Sequence, residues 1–273
     1  MLIAFLLVAH ALTIYYFWRR ARTEADGLSL TRYQVACRRL PTSFHGFKIL
    51  HLCDLHFRGP CPRSWLVLSL AEEASPDIVV VTGDLVGSRT GLREARGLLR
   101  CLAREWPTYV VLGNADLRAA RADALAASWS DVGARVLVNQ GERIERDGQH
   151  IWLAGVNDPH TGRDFLDSAL AAAEDGEAVI ALSHSPDLVL RPEARNVDVI
   201  LAGHTHGGQV VLPCVGPLYV RTRLGHRYAS GLHQVDDTQL FISRGVGSTR
   251  LRLRLHCPPE AALITLASPQ KYP

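Results

Sequence analysis

Five short runs rich in apolar and β-branched residues recur along the chain, at 47–53 (FKILHLC), 77–82 (DIVVVT), 108–112 (TYVVL), 178–183 (AVIALS) and 198–202 (DVILA). Each reads as a buried strand. A residue able to bind a metal follows within two positions of every run: Asp54 with His56, Asp84, Asn114, His184, and His204 with His206. Open α/β sheets hold their ligands at the carboxyl ends of strands, so these ends are expected to converge on one crevice.

The residue types suit one chemistry. Hydrolysing a phosphate ester or anhydride needs a nucleophile at neutral pH and a screen for the phosphoryl charge, which two cations about 3.5–4 Å apart supply together. Carboxylate, imidazole and amide oxygen suit Mn, Fe or Zn. The i, i+2 spacing of Asp54 and His56, and of His204 and His206, puts each pair on one side of an extended segment. One carboxylate has to bridge the metals. Asp84 is the natural choice, because Gly83 lets its backbone approach closely.

The motifs DLH at 54–56, GD at 83–84, GN at 113–114, SHSPD at 183–187 and GHTHGGQ at 203–209 resemble those of the calcineurin-like metallophosphoesterase superfamily. LPTSFHGFKILHLCDLH ahead of the centre, and YASGL, LFISRGVGS and CPPEAALITL after it, are similar to a membrane-associated branch that includes bacterial phosphodiesterases and a UDP-2,3-diacylglucosamine pyrophosphatase. The likeness covers roughly residues 33–268. It implies a four-layer αββα sandwich binding two divalent ions, Mn first and Fe or Zn otherwise. One ion would be held by Asp54, His56, Asp84 and His206, the other by Asp84, Asn114, His184 and His204. Asp84, Asn114 and Asp116 are then expected to be catalytic.

One position departs from the family. Its third motif usually continues with a histidine taken to help the leaving oxygen depart, whereas this chain reads Gly113, Asn114, Ala115, Asp116. A degenerate scaffold therefore stays open beside the enzyme reading. His160 and His226, or Arg118 as an electrostatic substitute, are candidates for the missing group.

The 273 residues, 47% of them hydrophobic, suffice for one large core, and strands alternating with helical stretches argue a single α/β domain. Helices are expected near 62–74, 90–105, 116–128 and 162–175. The net charge of +3 carries no basic run with interleaved aromatics, which excludes a nucleic-acid binder. Arg250, Arg252 and Arg254 alternate with leucines and read first as a strand with one solvated face. Arg58, Arg118, Arg163, Arg221, Arg223 and Arg227 lie beside the motifs, and one or two of them can hold a substrate phosphate. Arg118, with Asn114, is assigned that role. Cys37, Cys53, Cys61, Cys101, Cys214 and Cys257 form no C-x-x-C pair and read as free thiols.

Residues 1–18, MLIAFLLVAHALTIYYFW, are apolar apart from His10 and Thr13, end in aromatics, and are followed by Arg19, Arg20 and Arg22. A helix of that length reaches about 27 Å, slightly short of a hydrocarbon core of about 30 Å, so it reads as a short span or a deep interfacial helix. The arginines behind it place the catalytic domain on the cytoplasmic side of the inner membrane. The expected organisation is a membrane anchor helix over 1–20, a linker over 21–32, the phosphoesterase domain over 33–268 and a tail over 269–273. With the family resemblance, this topology implies a membrane lipid or nucleotide-linked glycolipid as substrate. Leu212, Pro213, Leu218, Tyr219 and Val220 are candidates to cover its acyl chains. No protein partner is expected.

Overall fold

The computed structural model of the protein describes residues 1–249 and 251–268, so Arg250 and the expected tail lie outside it. Two six-stranded mixed sheets form the centre. One runs in the order β1 (Ser29–Ala36), β14 (Glu260–Ala267), β2 (Lys48–Leu52), β3 (Ile78–Thr82), β4 (Thr108–Val111) and β5 (Arg135–Val136), parallel except where β14 meets β2. The other runs β12 (Gly231–Val235), β13 (Thr238–Ile242), β9 (Val199–Ala202), β8 (Val179–Leu182), β7 (Gln149–Gly155) and β6 (Gln140–Arg146), with antiparallel pairs at both edges. A small hairpin, β10 (Val211–Leu212) with β11 (Gly216–Pro217), stands apart.

Alternation along the strands builds the layers, because successive side chains point to opposite faces. Ile49, Val80, Tyr109 and Val111 from one sheet meet Ile151, Leu153, Ile180, Leu182, Leu201 and Phe241 from the other in a core between them. Their neighbours in sequence point outward. Leu50, Leu52, Val79, Val81 and Val110 pack under helices α2 (Arg63–Ala74), α3 (Leu92–Glu105) and α5 (Ala122–Ser130). Ala154, Val179, Ala181, Ile200 and Ala202 pack under α6 (Leu166–Leu170) and the turns that follow it. The result is helix, sheet, sheet, helix, with all five expected strands in the two sheets.

The helices expected at 62–74 and 90–105 form as α2 and α3. The stretch 116–128 is two helices, α4 (Asn114–Ala119) and α5, because Ala120 is extended at φ −155°. At 162–175 only α6 forms, since Gly162 turns left-handed at φ 65° and Asp164 is committed to Arg191. The arginine stretch is not a strand among the described residues: Arg252 pairs with Asp26, and Arg254 is fully buried. All six cysteines are unpaired.

The N-terminal segment is the helix α1 (Leu2–Glu24), with Ile3, Phe5, Leu7, Leu12, Tyr15, Tyr16 and Trp18 exposed. Its last turn belongs to the domain rather than to a linker, for Ala21 and Ala25 are buried and the Arg254 amide donates to Ala21 O at 2.8 Å. Among the described residues no helix is long and apolar enough to cross a membrane, which leaves the expected span without support. The three arginines and Glu24 that fill the end of α1 shorten its apolar part.

Candidate dinuclear metal centre

The loops leaving the strands carry backbone strain. Asp54 (φ 55°), His56 (50°), Asp84 (52°), His204 (71°) and His206 (53°) all sit in the left-handed region although none is glycine. Each such residue costs roughly 1–2 kcal/mol, and strain of this kind concentrates at functional sites. Cross-loop hydrogen bonds hold it in place. Asp54 N donates to Gly83 O at 3.0 Å, His56 N to Asp84 O at 2.9 Å, and His204 N to Asp54 Oδ2 at 2.9 Å. The loops also approach too closely for side chains: a Cβ on Gly83 would stand 2.6 Å from Gly113 N and 2.8 Å from His184 Nδ1.

Seven side chains converge as a result. Asp54, His56 and His206 form one group, with His206 Nε2 at 3.4 Å from Asp54 Oδ1 and 3.1 Å from His56 Nε2. Asp54, Asp84 and His184 form another, and His204 Nδ1 joins it at 2.9 Å from His184 Nε2. Asp84 faces both. Its Oδ2 lies 3.5 Å from His56 Nε2 and its Oδ1 3.5 Å from His184 Nε2.

These residues fit a pair of cations. Asp54 Oδ1 is buried with no hydrogen-bond partner, an orphan that is costly unless an ion satisfies it. Two pairs of ring nitrogens face each other where a cation would accept both lone pairs. Burial pushes the Asp54 carboxyl up and the His56, His204 and His206 imidazoles down, so these rings are neutral, the form that binds metal. Burial acts on His184 and Asp84 too. There, mutual attraction outweighs it, raising His184 and lowering Asp84, an ion pair that a cation would displace. The outer nitrogen of His184 bonds Thr82 O at 2.9 Å, the contact that usually orients a metal-binding imidazole.

Asn114 places its amide oxygen 3.2 Å from His204 Nδ1 and its nitrogen against the Arg118 guanidinium. Hydrogen bonding alone favours the reverse, whereas a bound cation would select the oxygen-inward orientation. Arg118 then faces a donor, and among the described residues no carboxylate pairs with it. Its charge is free for an anion. Asp116 does not face the cleft: it is buried, and its oxygens accept from Val86 N and Gly113 N, each at 2.9 Å. Burial, reinforced by the Asp84 charge, pushes its carboxyl up to about 7. It ties two loops together rather than meeting substrate.

Over the centre lies a cleft of about 760 Å³ lined by His56, Asp84, Ala115, Arg118, Tyr219, Arg221 and Leu251 among others. A groove of about 420 Å³ adjoins it, sharing His56, Arg58 and Thr249, and reaches Arg63 and Arg252 beside the end of α1.

The sequence model of the family described as Calcineurin-like phosphoesterase matches residues 47–208. The chain belongs to this family. An uncharacterized metallophosphoesterase of Bacillus subtilis, YkuE, is 30% identical over 96% of this chain and 94% of its own length. The phosphodiesterase YaeI of Escherichia coli is 32% identical over 81% of this chain and 82% of its own. The chain is thus a hydrolase of the metallophosphoesterase class, and the scaffold alternative falls away.

Two groups at the site escaped the sequence reading. Asp158 follows β7 as the other acidic candidates follow their strands, and its Oδ1 lies 3.3 Å from His160 Nδ1. The His160 ring centre is 4.3 Å from that of His204, which brings it to the edge of the centre, while His226 is not among the residues lining the cleft. Arg254, hidden in an alternating pattern, gave no signal of its burial.

Proposed function

We propose that the chain hydrolyses a phosphodiester or diphosphate bond in an amphiphilic substrate presented at a membrane surface, with UDP-2,3-diacylglucosamine as the specific candidate. The continuity of the cleft with the groove leading to α1 carries this reading, for it joins a phosphate-binding chemistry to an exposed apolar helix. Tyr219 and Leu251 line the cleft yet are 68% and 66% exposed, and Leu218, next to Tyr219 in sequence, is exposed as well. Single exposed apolar residues are ordinary, but a patch beside a site calls for an occupant. Arg118, Arg221 and Arg58 supply the complementary charge for phosphate.

Two divalent ions, Mn by preference, would supply a nucleophile at neutral pH and screen the phosphoryl charge. Asp54, His56, Asp84 and His206 would hold one, and Asp84, Asn114, His184 and His204 the other. The chain's own groups orient the substrate: Arg118 stands beside Asn114 to meet a phosphoryl oxygen, and the apolar rim excludes water from the link. Helix α1 lies in the interface rather than through it, with Arg19, Arg20 and Arg22 toward anionic headgroups of the cytoplasmic leaflet of the inner membrane.

The experiment is hydrolysis by the full chain with Mn, comparing UDP-2,3-diacylglucosamine in vesicles with water-soluble phosphodiesters and monoesters, products read by mass spectrometry. Cleavage of the diphosphate well above the soluble diesters supports the assignment. Preference for simple diesters would instead indicate a phosphodiesterase of broader range.

A further inference from the structure

Arg254 is 0% exposed, a full guanidinium inside the protein, and among the described residues no carboxylate pairs with it. A buried charge persists only when its donors are met. Backbone carbonyls meet those of the two terminal nitrogens, while Nε is buried without a partner among the described residues. Nη1 donates to His206 O at 2.9 Å and Cys257 O at 3.4 Å, and Nη2 donates to Gly245 O at 3.3 Å and to Gly247 O. Nη2 also passes 3.3 Å from His206 Nδ1, where it stops the ring from turning.

Apart from that of Cys257, close to Arg254 in sequence, those carbonyls belong to two different loops, one carrying a ligand and the other lying against one. His206 stands in the first. The second, 243–247, lies against Asp54: Val246 N donates to Cys53 O at 2.9 Å and Gly247 N to Asp54 O at 2.8 Å, while a Cβ on Gly245 would stand 2.8 Å from that of Asp54. One rigid fork therefore spans the backbones behind Asp54 and His206, which share one of the two ion sites. No hydrogen bond of Arg254 reaches His184, His204 or Asn114. The guanidinium has no access to the cleft, which excludes a substrate-anion role.

We propose that Arg254 is a positioning residue for one metal site alone, holding His206 and Asp54 at ligating distance from behind, and that the last turn of α1 braces it. The brace is direct. Arg254 N donates to Ala21 O at 2.8 Å, and Glu24 accepts from His256 N at 3.0 Å and from Cys257 N at 2.5 Å. This inference rests on the two-ion reading above.

The test titrates the full-length, metal-free protein with Mn alone, following ions bound per chain. Uptake of two ions by the unmodified protein is read first, so a failure of the two-ion reading is recognised separately. Arg254→Met is then compared in two backgrounds, His184→Ala, which keeps the His206 side, and His206→Ala, which keeps the His184 side. Partners behind metal ligands typically contribute about 10–100-fold in affinity. A loss of that size in the His184→Ala background, with affinity within about twofold in the other, is the expected result. Equal losses in both, or none in either, would overturn the proposal. Should Arg254→Met fail to fold, Arg254→Lys replaces it: fewer carbonyls within reach predict a smaller loss on the His206 side only, and unchanged affinity there overturns the proposal equally.

Discussion

The backbone amide of Ala115 donates to Asp84 Oδ1 at 2.6 Å. Position 115 thus serves the carboxylate between the two ion sites through its main chain, whatever its side chain is, and this explains how the motif keeps its geometry after losing its histidine. Asp84 itself is fixed by that bond and by the loop that Gly83 allows.

Asp84→Ala is expected to lower metal content and turnover together, by more than about 100-fold, since removing a direct ligand exceeds the usual cost of removing its supporting partner. Asp116→Asn keeps only one of the two ties, to Val86 N or Gly113 N, because its amide nitrogen cannot accept, yet it removes no ligand and is expected to retain both ions. Metal analysis of the purified variants beside their turnover checks this, and an active, metal-loaded Asp84→Ala protein would sink the bridging assignment.

The missing imidazole at Ala115 predicts a substrate whose leaving group needs no proton. General acid help is worth about 10²–10⁴-fold when a strong base departs, whereas a phosphate leaving group with a second pKa of about 6 leaves as its anion. The rate on a series of aryl and alkyl phosphodiesters is therefore expected to fall steeply with leaving-group pKa. Ala115→His should flatten the slope and raise alkyl diester turnover on the order of 10²-fold. Equal rates on alkyl diesters and diphosphates in the unmodified protein would refute this, and the carboxylate-bonded imidazole of His160 would then be the group to replace.

Helix α1 divides into an exposed apolar part and a docked last turn. A chain starting at Arg19 keeps the contacts of Ala21 and Glu24, and is expected to be soluble, to retain both ions and to hydrolyse a water-soluble diester at the full-length rate. Its activity on lipid in anionic vesicles should drop, because surface concentration is lost. A chain starting at Thr31 should in addition lose metal affinity. Vesicle flotation and metal titration separate the two cuts, and identical metal affinity in both would contradict the bracing role of the last turn.

His51, fully buried between the sheets, bonds Thr82 Oγ1 through Nε2 at 2.6 Å. Burial lowers its imidazole to about 3, against about 6.5 unfolded. The folded state therefore binds fewer protons than the unfolded state below about pH 6.5, so stability is complete above that pH and is lost as pH falls toward the folded value. The slope approaches about 1.4 kcal/mol per pH unit. His51→Gln, which keeps a partner for Thr82 but does not titrate, is expected to remove that component. Urea unfolding of both metal-free proteins between pH 4.5 and 7.5 measures it, and parallel pH profiles would dismiss the His51 contribution.

The order of motifs along the chain determined the strands, the ligand types and their meeting point. This was possible because a strand end fixes where the next side chain goes, and the glycines before Asp84 and Asn114 mark the close approach in the sequence itself. Ala115 was equally legible as a departure. Tertiary structure decided what depended on partners distant in sequence. Asp116 looked catalytic but spends its oxygens on the amides of Val86 and Gly113, and Arg118 became free only because no carboxylate packs near it. The helix expected at 116–128 broke because α4 answers to the metal loop and α5 to the core. Arg254 shows the limit most clearly. Its alternation with leucine fitted a solvated strand face, yet carbonyls from loops around 206 and 245 surround it, and no local pattern records which distant backbone will need a donor.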